Sequence, residues 1–180
     1  FLWELWHGVK VWSWRSTHGA RVRLDLEALY DWEALSSIAG LAEDHPDFAW
    51  PDIHTRTEGA VIEAQKIAHP LFHPHTRKAN DFTLSGRGQL LLVTGSNMSG
   101  KSSFLRTLGL NARLAFAGAP VCAEAFSLAR LQVATSIQIT DDPSQGWSRF
   151  YAEVRRISEV IQHAEAAPAE RPVLYLIDEM

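Results

Sequence analysis

Gly95-Ser96-Asn97-Met98-Ser99-Gly100-Lys101-Ser102 follows the apolar run Gln89-Leu90-Leu91-Leu92-Val93-Thr94 and precedes an amphipathic stretch through Leu105, Leu108, Leu110, Leu114 and Phe116. Strand, glycine-bounded loop, helix: that order decides the fold. The loop satisfies the spacing G-x-x-x-x-G-K-[ST] in full. Glycines at 95 and 100 let the backbone turn so that successive N–H groups converge on phosphate oxygens. A helix beginning near Lys101 adds its positive end to the same anion. Lys101 brings a point charge to the β- and γ-phosphates, and Ser102 offers a hydroxyl to Mg²⁺, a hard cation that takes oxygen ligands. An ordinary glycine turn is the bland alternative; the strand before and the helix after outweigh it.

Downstream, the helix closes at Gly118-Ala119-Pro120, a C-terminal stop signal. Residues 132–140 alternate as a strand, 149–164 read as a helix, 166–171 as a loop and 173–177 as a buried strand. That strand, Val173-Leu174-Tyr175-Leu176-Ile177, runs into Asp178-Glu179, a Walker B pattern. Asp178 would serve Mg²⁺, and Glu179 would polarise the attacking water as general base. Two acids at a strand end are commonly a solvated turn, but behind a phosphate loop the catalytic reading is stronger. Upstream, Ser85-Gly86-Arg87-Gly88 reads as a hairpin turn, and residues 61–67 as a strand or a helical turn. Strands alternating with helices predict an α/β domain with a mostly parallel sheet flanked by helices, a P-loop NTPase.

The first 44 residues differ. Trp3, Trp6, Trp12 and Trp14 fall in one apolar helix, and Leu24, Leu26, Leu29, Leu35, Ile38 and Leu41 mark a second. Ser16-Thr17-His18-Gly19 reads as the turn between them, and Pro46 ends the second near Asp44-His45. Tryptophan suits a membrane surface, but the basic face such helices use is missing, so packing against other protein is the better reading. The expected division is a helical lever or arm over 1–48 and the ATPase domain over 49–180. The ends of the chain read as those of a fragment of a longer protein, truncated after the Walker B strand.

Composition excludes several classes. Lys plus Arg number 17 and Asp plus Glu 21, so a net charge of −4 rules out a dominant basic footprint for nucleic acid. One cysteine, Cys122, rules out an internal disulfide framework and a cysteine-rich zinc site. No run of about 18 apolar residues encodes a membrane span; the expected location is the cytoplasm. His69, His73 and His75 have a spacing that metal sites sometimes use, but a surface loop near the nucleotide is the simpler reading. Lys10, Arg15, Arg21 and Arg23 read as a solvated helix face, and Cys122, between Val121 and Ala123, as buried.

With these residues in hand, the sequence resembles the ATPase domain of the MutS family of DNA mismatch-repair proteins. Residues 94–106 match that family's T-G-x-N-M-x-G-K-S-[ST]-[FY]-L-R signature, in which Asn97-Met98 is far more specific than a generic phosphate loop. Asp141-Asp142-Pro143-Ser144-Gln145-Gly146-Trp147-Ser148-Arg149-Phe150 is similar to its D-[DS]-x-x-x-G-x-S-x-F segment, with Glu153 following. Gly118-Ala119-Pro120-Val121-Cys122-Ala123 resembles the G-x-x-V-P-A segment with Cys122 where proline is usual, and His69-Pro70 resembles the family's His-Pro pair. The likeness covers residues 69–180; the leading helices correspond less specifically to a lever region.

The resemblance implies an ABC-type ATPase working as a homodimer. Gly95, Ser96, Asn97, Met98, Ser99, Gly100, Lys101, Ser102 and Ser103 would bind nucleotide. Ser102 and Asp178 would hold Mg²⁺, and Lys101 and Glu179 would act in catalysis. Ser148, at the start of its helix, would reach the γ-phosphate held by the other subunit. Where family members stack an aromatic on adenine, this chain has Arg77 or Lys78, and Arg77 is the candidate for cation–π stacking. DNA would be gripped by parts of the parent protein outside this stretch, which has no mismatch-reading domain and shows no membrane contact. The alternative is a nucleotide-gated interaction module that binds ATP with little hydrolysis and no mismatch recognition. A transporter or SMC-like subunit is disfavoured, because Gln145-Gly146-Trp147-Ser148-Arg149 does not fit L-S-G-G-Q.

Overall fold

The computed structural model describes residues 1–55, 60–86, 88–96, 98–136, 149–168 and 171–178. They form two compact units, 1–44 and 45–180.

The first unit is one helix, α1 (Leu2–Asp44), of 43 residues and about 64 Å at 1.5 Å per residue. The turn expected at 16–19 does not form. Ser16 Oγ and Thr17 Oγ1 both donate to the Ser13 carbonyl, at 2.8 and 3.0 Å, so the hydroxyls that signalled a turn are satisfied within the helix. Pairs one turn apart line it: Trp3 on His7, Trp14 on His18, and the Lys10 ammonium 5.2 Å from the Trp6 ring. No residue of α1 is buried, and its apolar side chains do not gather on one face. Among the described residues no helix is long and apolar enough to cross a membrane.

The second unit carries β1 (Asp52–His54), β2 (Ala60–Ile67), β3 (Asn80–Ser85), α2 (Lys101–Phe116), β4 (Ala125–Ala129), β5 (Gln132–Ser136), α3 (Arg149–Ala166) and β6 (Val173–Ile177). Four strands form a sheet in the order β1-β4-β2-β3. β1 is parallel to β4, but β2 is antiparallel to both neighbours, so this sheet is mixed and not mostly parallel. β5 and β6 form a separate parallel pair, in register from Gln132–Val173 to Ser136–Ile177, and α3 lies between them in sequence, as a parallel connection requires.

Two rows of side chains cross the mixed sheet: Leu128, Ile62 and Leu84, then Phe126, Ala64 and Phe82. They share one core with Leu108, Ala112 and Ala115 of α2. Those three residues repeat at helical spacing, which is why this stretch folds as an amphipathic helix. Phe82 meets Phe104 edge-on at 5.7 Å.

Residues 89–94 depart from expectation. They form no strand, and Leu90 and Leu92 are 90% and 78% exposed. An apolar run becomes a buried strand only when neighbouring strands supply ladder partners, and none of the described strands lies along it. Arg87, in the middle of the hairpin turn expected at 85–88, lies outside the described residues; among those described, β3 pairs back onto β2 across residues 68–79 and with no strand that follows it.

Candidate functional site

The glycine-bounded loop at residues 95–100 leads directly into α2. Gly100 is the N-cap, with φ 93°, and no side chain caps the helix. The first turn carries no acidic residue of its own, so the free N–H groups and positive end of a 16-residue helix open toward the loop. Gly95 makes room for its neighbour: a Cβ there would lie 2.7 Å from Ser99 Oγ and make that hydroxyl turn away. The Ser99 N–H donates to the Ser96 carbonyl at 3.2 Å, and Met98 takes the left-handed conformation at φ 63°, fully exposed. Lys101 Nζ donates to the carbonyls of Gly95 and Ser96, at 3.0 and 2.9 Å. The ammonium thus closes the loop over the space the glycines leave.

Asp178 reaches the same place from the far end of the chain. Its N–H donates to the Ser136 carbonyl at 3.0 Å, continuing the β5–β6 ladder one step beyond β6. Ser102 Oγ donates to Asp178 Oδ1 at 3.0 Å, across 76 positions of sequence. One hydroxyl and one carboxylate, both hard oxygens at the mouth of the loop, suit a cation that keeps water and phosphate ligands. Among the described residues no group of three or more His, Cys, Asp or Glu side chains is placed to hold a metal.

Of the residues read from sequence, Gly95, Ser96, Met98, Ser99, Gly100, Lys101, Ser102 and Ser103 lie along this loop and first turn, and Asp178 joins them. Asn97, Ser148 and Glu179 lie outside the described residues. Arg77 has partners already: its guanidinium is ion-paired with Asp47 and sits 5.6 Å from the Phe48 ring centroid. A base stacking on Arg77 would share it with that pair.

Of the three histidines in the loop, His69 is buried and His73 and His75 are exposed. His69 stacks on Phe72 at 4.2 Å, and its Nδ1 accepts the Leu71 N–H at 3.3 Å. Burial, and next the nearby Arg106 charge, hold it below the ordinary histidine pKa of 6.5. Cys122 is buried as expected, and burial pushes its thiol pKa up.

Sequence reading missed Asn111. It is fully buried on the core face of α2. Its Nδ2 donates to the carbonyls of Ala68 (3.0 Å) and Thr107 (2.8 Å), and its Oδ1 accepts the Cys122 N–H at 2.8 Å. One amide thereby fastens the helix that carries Lys101 and Ser102 to the end of β2 and to the approach to β4. The available signal was an amide set among Leu108, Ala112 and Ala115, where a polar residue needs partners.

A family model described as MutS domain V matches residues 91–180, from the apolar run to the end of the chain. The DNA mismatch repair protein MutS of Chlorobium chlorochromatii (strain CaD3) is 31% identical over 171 residues, covering 92% of this chain and 19% of that protein. The chain thus spans about a fifth of the length of the curated relative it matches.

Proposed function

The chain belongs to the MutS family of mismatch-repair proteins, and from that premise we propose that its phosphate loop and Asp178 form the Mg²⁺-ATP site of a P-loop ATPase of ABC type. The loop amides at 95–100 and the first turn of α2, through Ser103, cradle the phosphates, and Lys101 exchanges its carbonyl partners for phosphate oxygens. Ser102 and Asp178 hold Mg²⁺, which neutralises charge on the phosphates when bound. Glu179 takes the proton of the attacking water, and Ser148 of a second copy completes the γ-phosphate contacts. ATP then joins two subunits and hydrolysis releases them, coupling nucleotide to DNA held elsewhere in the parent protein.

The observation that carries this reading is the Ser102–Asp178 hydrogen bond. It sets one residue of each motif side by side, although they were read independently and lie 76 positions apart. Calorimetric titration of the chain with Mg²⁺-ATP, beside Lys101→Ala, tests it. Saturable binding that the variant loses supports the site; equal binding by both, or none by folded wild type, overturns it. In the intact parent, DNA-stimulated turnover abolished by Glu179→Gln supports the coupled ATPase. Binding without turnover and indifference to DNA would instead favour a nucleotide-gated interaction module.

A further inference from the structure

Gly109 lies in the buried middle of α2, seven residues and about two turns after Ser102. Its φ is not positive, so its backbone conformation is open to any residue. A mid-helix glycine is less stable than alanine because it gives up more backbone freedom, and at Gly109 the one thing glycine offers is space. That space is used. A Cβ on Gly109 would stand 3.1 Å from Leu176 Cδ1 of β6, tighter than an ordinary van der Waals contact. Leu176 and Asp178 are two apart along an extended chain, the spacing that returns side chains to one face. The helix therefore meets this strand end at two points. Gly109 rests against Leu176, and Ser102 reaches Asp178 at 3.0 Å.

We propose that Gly109 is a positioning residue for the metal pair: the missing side chain lets α2 settle onto β6, and that depth sets the reach from Ser102 to Asp178. A methyl or larger group at 109 levers the helix away from Leu176 and opens the hydroxyl–carboxylate distance, while the loop amides and Lys101, which belong to the same segment as α2, move with it. Phosphate contacts survive and cation contacts weaken. The inference rests on the reading of this loop as a Mg²⁺-ATP site.

The test is calorimetric titration of the full chain with ATP, once with Mg²⁺ and once with EDTA, for wild type, Gly109→Ala, Gly109→Val, and Gly109→Val combined with Leu176→Val, which removes the opposing Cδ1. The expected result is that Gly109→Val loses about tenfold of the Mg²⁺-dependent gain in affinity, the size usual when a supporting contact of a metal site is disturbed. Its affinity in EDTA stays at the wild-type value, Gly109→Ala falls between, and Leu176→Val restores the gain. Equal losses with and without Mg²⁺ would mark a merely structural role and overturn the inference, as would an unchanged Mg²⁺ effect or no recovery in the double variant. Should Gly109→Val fail to fold, Gly109→Ala decides by the same criterion. Wild type that binds ATP equally well with and without Mg²⁺ removes this inference and leaves the phosphate site standing; wild type that binds no ATP removes both.

Discussion

Along α1 the described interactions join residues no more than four apart: Ser16 and Thr17 to Ser13, Ser37 to Glu33, Trp3 and Trp6 to His7, Trp14 to His18. In the unit that begins at His45 long-range interactions are added to the local ones: Arg77 to Asp47, Asn111 to Ala68, Ser102 to Asp178. One region is a helix because each turn supports the next; the other is folded because distant segments bury one another. Periodicity is informative only where burial selects a face. It located α2 and α3 closely, and it divided α1 into two helices that do not exist.

The largest expected effect comes from making one truncation in both regions. Leu128→Ala empties a fully buried site between Ile62 and its sheet neighbours and should cost about 3–4 kcal/mol of unfolding free energy. Leu29→Ala, at a position of α1 that is 45% exposed, should stay within about 0.5 kcal/mol. Denaturant unfolding of the two variants against wild type measures both, and similar losses would break the comparison. Next, Thr17→Pro removes a mid-helix N–H and clashes with the preceding turn, at about 3 kcal/mol. It should create the two-helix arrangement that the chain avoids. Amide hydrogen exchange across residues 13–20 would report it, and unchanged protection there would show that α1 is held by more than its own turns.

The smallest effect is one of pH. Because His69 is held below 6.5, the unfolded chain binds more protons than the folded one as pH falls past that value. The contribution of a neutral His69 is present at neutral pH and is lost on acidification through its lowered pKa. Unfolding free energy measured at pH 7.0 and at lower pH should therefore drop in wild type and drop less in His69→Gln. A steeper drop in the variant would reverse the assignment.

What was legible in the sequence had local causes. Gly95 and Gly100 announced the loop, Gly118-Ala119-Pro120 the end of α2, and an apolar run ending in Asp178 the strand β6; each signal is read within a few residues. What was not legible depends on partners. Gln89 to Thr94 has the composition of a buried strand, but a strand exists only beside another, and its leucines stand exposed. The antiparallel return of β3 onto β2 follows from Ile62 facing Leu84 and Leu128 together, a relation no single window contains. Arg77 drew attention as a cation near a base, and its choice of Asp47 was hidden 30 positions upstream.

Asn111 also bears on the order in which the fold assembles. Its bond to Cys122 closes 11 residues of chain and its bond to Ala68 closes 43. The longer closure costs about 1.2 kcal/mol more in chain entropy, from the logarithm of the ratio. The helix should find its downstream partner first and wait, with one amide hydrogen unspent, for the older half of the chain. In kinetic terms, substitutions near Cys122 should slow folding, while substitutions around Ala68 should hasten unfolding.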